Sequence, residues 1–372
     1  MITEHSFTGV IRKVLVQIFD DKAEFIFNNS LLIQYINEKT KSANRGSKSR
    51  GSFANLYSIY VIVEDYINHD FHTTRSGKYA DYEGAVYSNL FKRQRELPFG
   101  AKLQNHSLNN RTNSEFQKYY PGVNMIPIIR NQENNRYWIN ENLLRIEING
   151  EEHNIAEAVI QIINEYVKTK QDSFERFISQ CRKIQTVGTK SSETIKEFIA
   201  GLLEPNVDAR LFEIVSFSIL KYFYVEQQIY WGYDMDSVAP DSLKLYKTGR
   251  TNANDGGIDF VMKPLGRFFQ VTETLDFKKY FLDIEKYPIT FVIKSNDSVK
   301  TIKSKIESDA FKAYPVKSIV KKYLGCIEEI INIPRLMECF DDVVAKGLLK
   351  KIMDEIILQS NVEFNYTEED EE

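Results

Sequence analysis

TGRTNANDGGIDFVMKPLGRFFQVTETLDFKKYFLD, residues 248–283, is the stretch whose reading decides the fold of this chain. It reads as a glycine-rich loop, a strand, a tight turn, a second strand and a helix. Asp259 stands between Ile258 and the apolar run Phe260-Val261-Met262, and Pro264-Leu265-Gly266 supplies the turn. Phe268 to Thr272 returns as the next strand. Side chains alternate across a pleated strand, so Phe268, Gln270 and Thr272 share one face while Phe269 and Val271 take the other. Polar groups in strands otherwise built of aromatic and β-branched residues carry a desolvation cost, which points to a use for them.

Outward from this stretch, the length sets the frame. A chain of 372 residues exceeds the usual size of one core, so two domains are expected. Hydrophobic residues make up 42%, with 24 Phe and 21 Tyr, enough for a core in each. A net charge of −4 excludes polyanion binding through the overall charge of the chain, but leaves room for a local basic face. Cys181, Cys326 and Cys339 are widely spaced and form no CxxC pair, so they read as small hydrophobes in a reducing compartment. The start, MITEHSFTGV, has no basic n-region or apolar h-region, and no apolar run reaches the roughly 18 residues of a membrane span. The expectation is a soluble, cytoplasmic protein with no membrane partner.

Upstream, KTKSANRGSKSRGS (39–52) carries Arg45, Lys48 and Arg50 among serines and glycines and holds no acid. Alone, such a run is more often a solvated loop; its groups are also those that hold a DNA backbone. FANLYSIYVIVEDYI follows with aromatics at 53, 57 and 60, a spacing that predicts a buried helix rather than a base-stacking surface. Residues 69–120 turn polar, with a short helix bearing Arg93 and Arg95, and then Asn109 and Arg111. These side chain types read base edges, and equally make soluble turns. His69-x-x-His72 has no third ligand nearby and is not read as a metal site. Beyond residue 155, IAEAVIQIINEYVK and DSFERFISQCRKI predict two helices, the second capped by its Asp. LFEIVSFSILKYFY (211–224) predicts an apolar helix holding one acid, Glu213. Taken alone, Glu213 is explained by the dipole at the helix N-terminus. After residue 283, YPITFVIKS reads as a buried strand, and VKSIVKKYLGCIEEIINI and IPRLMECFDDVVAKGLLKKIMDEIIL as helices.

A helical Glu, then a glycine-rich loop, GGID, a turn and a Gln-x-polar strand resembles the order in PD-(D/E)xK nucleases, particularly their Mrr-type and type II restriction endonuclease variants. The resemblance covers roughly residues 208–295. It implies an α/β (α+β) fold with a restriction-endonuclease-like core, a mixed sheet flanked by helices. By this resemblance Glu213 matches the helical acid, Asp259 the central metal-binding Asp and Gln270 the first position of the third motif; Gly256 and Gly257 turn the chain beside the scissile phosphate. The family lysine is replaced by Thr272, which can hydrogen-bond a water but supplies no cation. Lys278 or Lys279, in the helix that follows, is the expected substitute, with Lys279 preferred. Asp259, Gln270 and Glu213 are the implied Mg²⁺ ligands, with Asp255 and Glu273 secondary.

The expected organisation is a mixed α+β DNA-recognition domain at 1–155, an endonuclease domain with helical additions at 156–365 and an acidic tail at 366–372. The function implied is that of a type II restriction endonuclease: a homodimer that cuts double-stranded DNA with Mg²⁺ and has a cognate DNA methyltransferase as genetic partner. The alternatives are a nuclease acting on methylated DNA, or a non-catalytic DNA-binding module on a decayed nuclease fold, for which Thr272 is the main argument.

Overall fold

The structure is a computed structural model, described here for residues 3–43, 49–187, 192–204, 207–248, 257–273, 288–314 and 316–364. It is a mixed α+β chain that divides into two compact units, Met1–Arg176 and Phe177–Glu372.

The first unit holds α1 (Thr8–Phe19), α2 (Ala23–Asn29), α3 (Leu31–Thr40), α4 (Ser49–Asn68), α5 (Tyr87–Glu96) and α6 (Thr112–Tyr119). A three-stranded sheet, in the order β1-β3-β2, is formed by β1 (Ala85–Val86), β2 (Ile128–Asn131) and β3 (Arg136–Ile139), and β4 (Arg145–Ile148) pairs with β5 (Glu151–Asn154). α4 is buried nearly all round, as a helix apolar on every side must be: Phe53, Leu56, Tyr57, Ile59, Tyr60, Val63 and Tyr66 all lie in the core. The aromatics at 53, 57 and 60 are core, as their spacing predicts. Buried polar groups on this helix are matched against α6, where the Ser58 and Thr112 hydroxyls lie 2.6 Å apart and Thr112 donates to Asn55 Oδ1 at 3.1 Å.

The division between units falls inside α7 (Ala156–Val187). Two helices were expected here, but they are one. No Gly or Pro interrupts residues 156–187, and Asp172 is an exposed position within the helix instead of a cap.

The second unit continues with α8 (Ser192–Leu202), α9 (Ala209–Val225) and a hairpin of β6 (Gln228–Trp231) with β7 (Ala239–Ser242). Its main sheet holds β8 (Lys244–Lys247), β9 (Phe260–Lys263), β10 (Arg267–Thr272), β11 (Ile289–Ile293) and β12 (Ile327–Ile331), in the order β12-β11-β10-β9-β8. β8, β9 and β10 form an antiparallel meander, and β10, β11 and β12 run parallel. α10 (Val299–Ala313) and α11 (Lys317–Leu324) precede β12, and α12 (Ile333–Ala345) and α13 (Leu349–Phe364) follow it. β11 is buried along its length, as a parallel strand covered on both faces should be. One face of the sheet meets α9, with Phe217 tilted against Phe260 at 5.2 Å and Tyr224 edge-on to Phe269 at 5.9 Å. The other packs Ile289, Phe291 and Ile293 against Ile302, Ile306 and Val320.

Two further expectations are corrected. CIEEIINI belongs to a strand, because Glu329 sits opposite Thr290 in the sheet and is neutralised by Arg267 from β10. The last predicted helix is two, broken at Gly347, whose φ of +75° suits glycine best. Among the described residues no helix is long and apolar enough to cross a membrane.

All three cysteines are free. Burial pushes the Cys181 thiol up to about 12 and the Cys339 thiol up to about 11, so both stay protonated at pH 8. A disulfide reagent at that pH should therefore modify one thiol per folded chain quickly, the half-buried Cys326. The other two should react only after denaturation. Three thiols titrating at one rate would contradict this core arrangement.

Candidate active site

Asp259 is fixed by the way β9 begins. Its N–H donates to Phe269 O at 2.9 Å and its carbonyl accepts from Thr248 N–H at 3.0 Å, so the backbone is pinned to strands on both sides. Paired register with β10 ends at Phe260 opposite Phe269. One residue before, the side chain takes over: Oδ2 accepts the Val271 N–H at 2.7 Å, where a strand carbonyl would otherwise stand. The carboxylate is thereby held against the β10 backbone.

Gln270 lies on β10 directly beyond this pair and is 6% exposed. Its Oε1 is buried with no hydrogen-bond partner among the described residues. An orphaned amide oxygen costs about 1–3 kcal/mol, so this one is open to an incoming partner such as a cation or a water. Gly257, at φ +80°, lets the chain pass the other end of the amide: a Cβ there would stand 3.2 Å from Gln270 Nε2. Thr272 is buried on the same face as Gln270, as alternation predicts.

Glu213 arrives from α9, which starts from the cap made by the Asp208 side chain to Arg210 N–H. Glu213 therefore lies past the first turn, and the dipole explanation gives way to a specific partner. Its Oε1 is 2.8 Å from Lys247 Nζ, with side chains only 7% and 14% exposed. Lys247 ends β8 opposite Phe260, next to Thr248, which bonds to Asp259. The C-terminal ends of β8, β10 and β11 and the start of β9 meet at one edge of the sheet, with the first turns of α9 above them.

The same edge holds a second buried cation. Lys294, at the end of β11, donates to Val207 O and Glu273 Oε1, each at 2.6 Å, beneath the Phe212 ring. Glu273 thus faces away from Gln270 and Thr272, as alternation requires. The expected substitute Lys279, with Lys278, Asp255 and Gly256, lies outside the described residues. Lys247 and Lys294 escaped the sequence reading because strand pairing, not sequence proximity, brings them to the edge. The one available signal was a lysine closing an otherwise apolar strand, as in TFVIK.

Among the described residues, no three His, Cys, Asp or Glu side chains gather into a metal cluster. The oxygens present still fit Mg²⁺, a hard ion that keeps most of its waters and needs only one or two carboxylates. Asp259 and the orphaned Gln270 Oε1 would be its ligands; Glu213, from α9, is paired with Lys247 on the Phe260 and Phe269 face of the sheet, the face that Gln270 turns away from.

The residues expected to touch DNA have intramolecular partners. Arg93 forms a bidentate pair with Glu64 at 2.8 and 2.7 Å, and Arg111 pairs with Glu115 at 2.7 Å. Arg95 donates to Ala101 O, and Asn109 accepts from the Tyr137 hydroxyl. Arg45 and Lys48 lie outside the described residues, and so does the side chain of Arg50. Compared with protein-family models, curated proteins and solved structures, the chain matches none.

Proposed function

We propose that the chain is a Mg²⁺-dependent nuclease of the PD-(D/E)xK kind, with a restriction-endonuclease-like core in the second unit, acting on double-stranded DNA as a homodimer. One observation carries the reading: the Asp259 carboxylate is held by the N–H of Val271, the residue next to Gln270, whose buried Oε1 has no partner among the described residues. Further support comes from the edge they share with a helical carboxylate and lysines from two other strands. The sequence-specific type II enzyme, with a methyltransferase as genetic partner, remains the favoured form.

When bound, Mg²⁺ neutralises phosphodiester oxygens and acidifies a water. The protein's part is to hold the groups in place. The Val271 N–H orients Asp259, Gln270 presents an amide oxygen already stripped of water, and Lys247 fixes Glu213. The Thr272 hydroxyl can hold a water but not balance charge at the attacked phosphate, so the cation must come from a neighbouring element.

Purified chain incubated with unmethylated and methylated plasmid, with and without Mg²⁺, tests the proposal. Discrete fragments from unmethylated DNA, formed only with Mg²⁺, are expected. Fragments from methylated DNA alone would move the reading to a modification-dependent enzyme. DNA that is retarded but never cut would leave a binding module, the outcome that Thr272 favours.

A further inference from the structure

A cavity of about 600 Å³ opens in the first unit, far along the chain from the residues at the sheet edge. Its volume lies within the roughly 300–1,000 Å³ of small-molecule sites. Val61, Ala85 and Leu90 give it an apolar floor. One wall is aromatic, with the His69 and Tyr82 rings 4.8 Å apart between centroids.

The charges around it are unequally satisfied. Glu64 is committed to Arg93 through two hydrogen bonds. Arg136 donates to Gly84 O and to Glu83. Asp65 accepts from the Tyr82 hydroxyl at 2.9 Å through Oδ2, and its Oδ1 lies 3.7 Å from His69 Nδ1. A carboxylate accepts about four hydrogen bonds, so Asp65 keeps capacity for an incoming N–H. Burial raises its pKa, in keeping with a carboxyl short of partners. Asn89 lines the opening and is exposed; Lys92, one turn on along α5 and not among the lining residues, has 80% of its side chain in solvent and lies 3.9 Å from Glu96.

An aromatic wall takes a flat ring, a carboxylate takes an N–H donor, and an exposed lysine on the helix beside the opening takes a phosphate. We propose that this cavity receives an unstacked, amino-bearing nucleobase of a DNA strand, its exocyclic amine donating to Asp65 while Lys92 meets the backbone. Thymine, which turns two carbonyls and a single N–H towards such a carboxylate, is selected against. The assignment rests on the reading of the chain as a DNA-acting protein and adds to it a base-selective site.

The test is fluorescence anisotropy with the full chain, in metal-free buffer, against short labelled oligo-dC, oligo-dA, oligo-dT and a mixed duplex. Oligo-dC and oligo-dA should bind at least about tenfold tighter than oligo-dT, the effect of one good polar contact. Asp65→Leu should erase the preference. Asn89→Trp, which blocks the exposed mouth without touching the core, should do the same at an unchanged unfolding temperature. Equal binding of the three oligomers by the native chain overturns the proposal, and so does a preference surviving both variants. If the duplex binds while the oligomers are not distinguished, only the base site falls. If neither duplex nor oligomers bind, the DNA reading falls with it.

Discussion

Asp259→Asn is expected to reduce Mg²⁺-dependent cleavage by at least about a thousandfold, near 4 kcal/mol of transition-state stabilisation, with the fold intact. Asparagine keeps an oxygen for the Val271 N–H, which Asp259 Oδ2 now satisfies at 2.7 Å, so the start of β9 stays fixed. What is lost is the charge that attracts a hard divalent cation. Asp259→Ala removes both, and should lose activity equally while giving up a further ~1–2 kcal/mol of stability from a half-buried N–H left unpaired. Cleavage rates, DNA affinity by anisotropy and thermal unfolding separate the effects. Cleavage retained by Asp259→Asn would sink the site assignment.

The second large effect is expected at Lys247. Its amine and the Glu213 carboxylate are both nearly buried, and removing one member of such a pair costs about 3–5 kcal/mol. Lys247→Met should therefore lower the unfolding temperature markedly. It should also lower kcat by about 10–100-fold, the usual effect of losing a group that orients a metal-site residue. Adding Glu213→Leu to Lys247→Met separates packing from function. An apolar pair of similar volume should recover the stability, whereas activity should stay lost. If the double variant cuts at the native rate, Lys247 and Glu213 are a structural pair and the missing cation lies elsewhere.

Local chemistry was legible wherever neighbours in sequence decide the outcome. Phe53, Tyr57 and Tyr60 of α4 lie in the core, as their helical spacing required. Gln270 and Thr272 face one way and Phe269 the other, because a pleat has a period of two and tertiary packing cannot change it. Helix continuity was harder to read. A polar stretch such as residues 168–173 looks like a boundary from the sequence, yet α7 runs through it, with Lys168 and Asp172 exposed and Lys170 bonded to Ser42 O. Glu328 and Glu329 suggested a helix surface, and Arg267, 62 residues before Glu329, made a strand tolerable there.

The sequence by itself determined the hairpin of β9 and β10 about Pro264-Leu265-Gly266, the place of Asp259 ahead of its apolar run, and which face of β10 is polar; β8, the third strand of the meander, was not read from it. These follow from turn residues and alternation within about twenty-five positions. Only the tertiary structure decided the partners: Lys247 for Glu213, Lys294 for Glu273, Glu64 for Arg93 and Lys39 for Glu115. Charges act through space over a few ångströms, and strand register and helix docking set those distances. A lysine twenty-five residues before Thr272 and another twenty-two after it thus arrive at one sheet edge, a convergence that no spacing rule in the chain encodes.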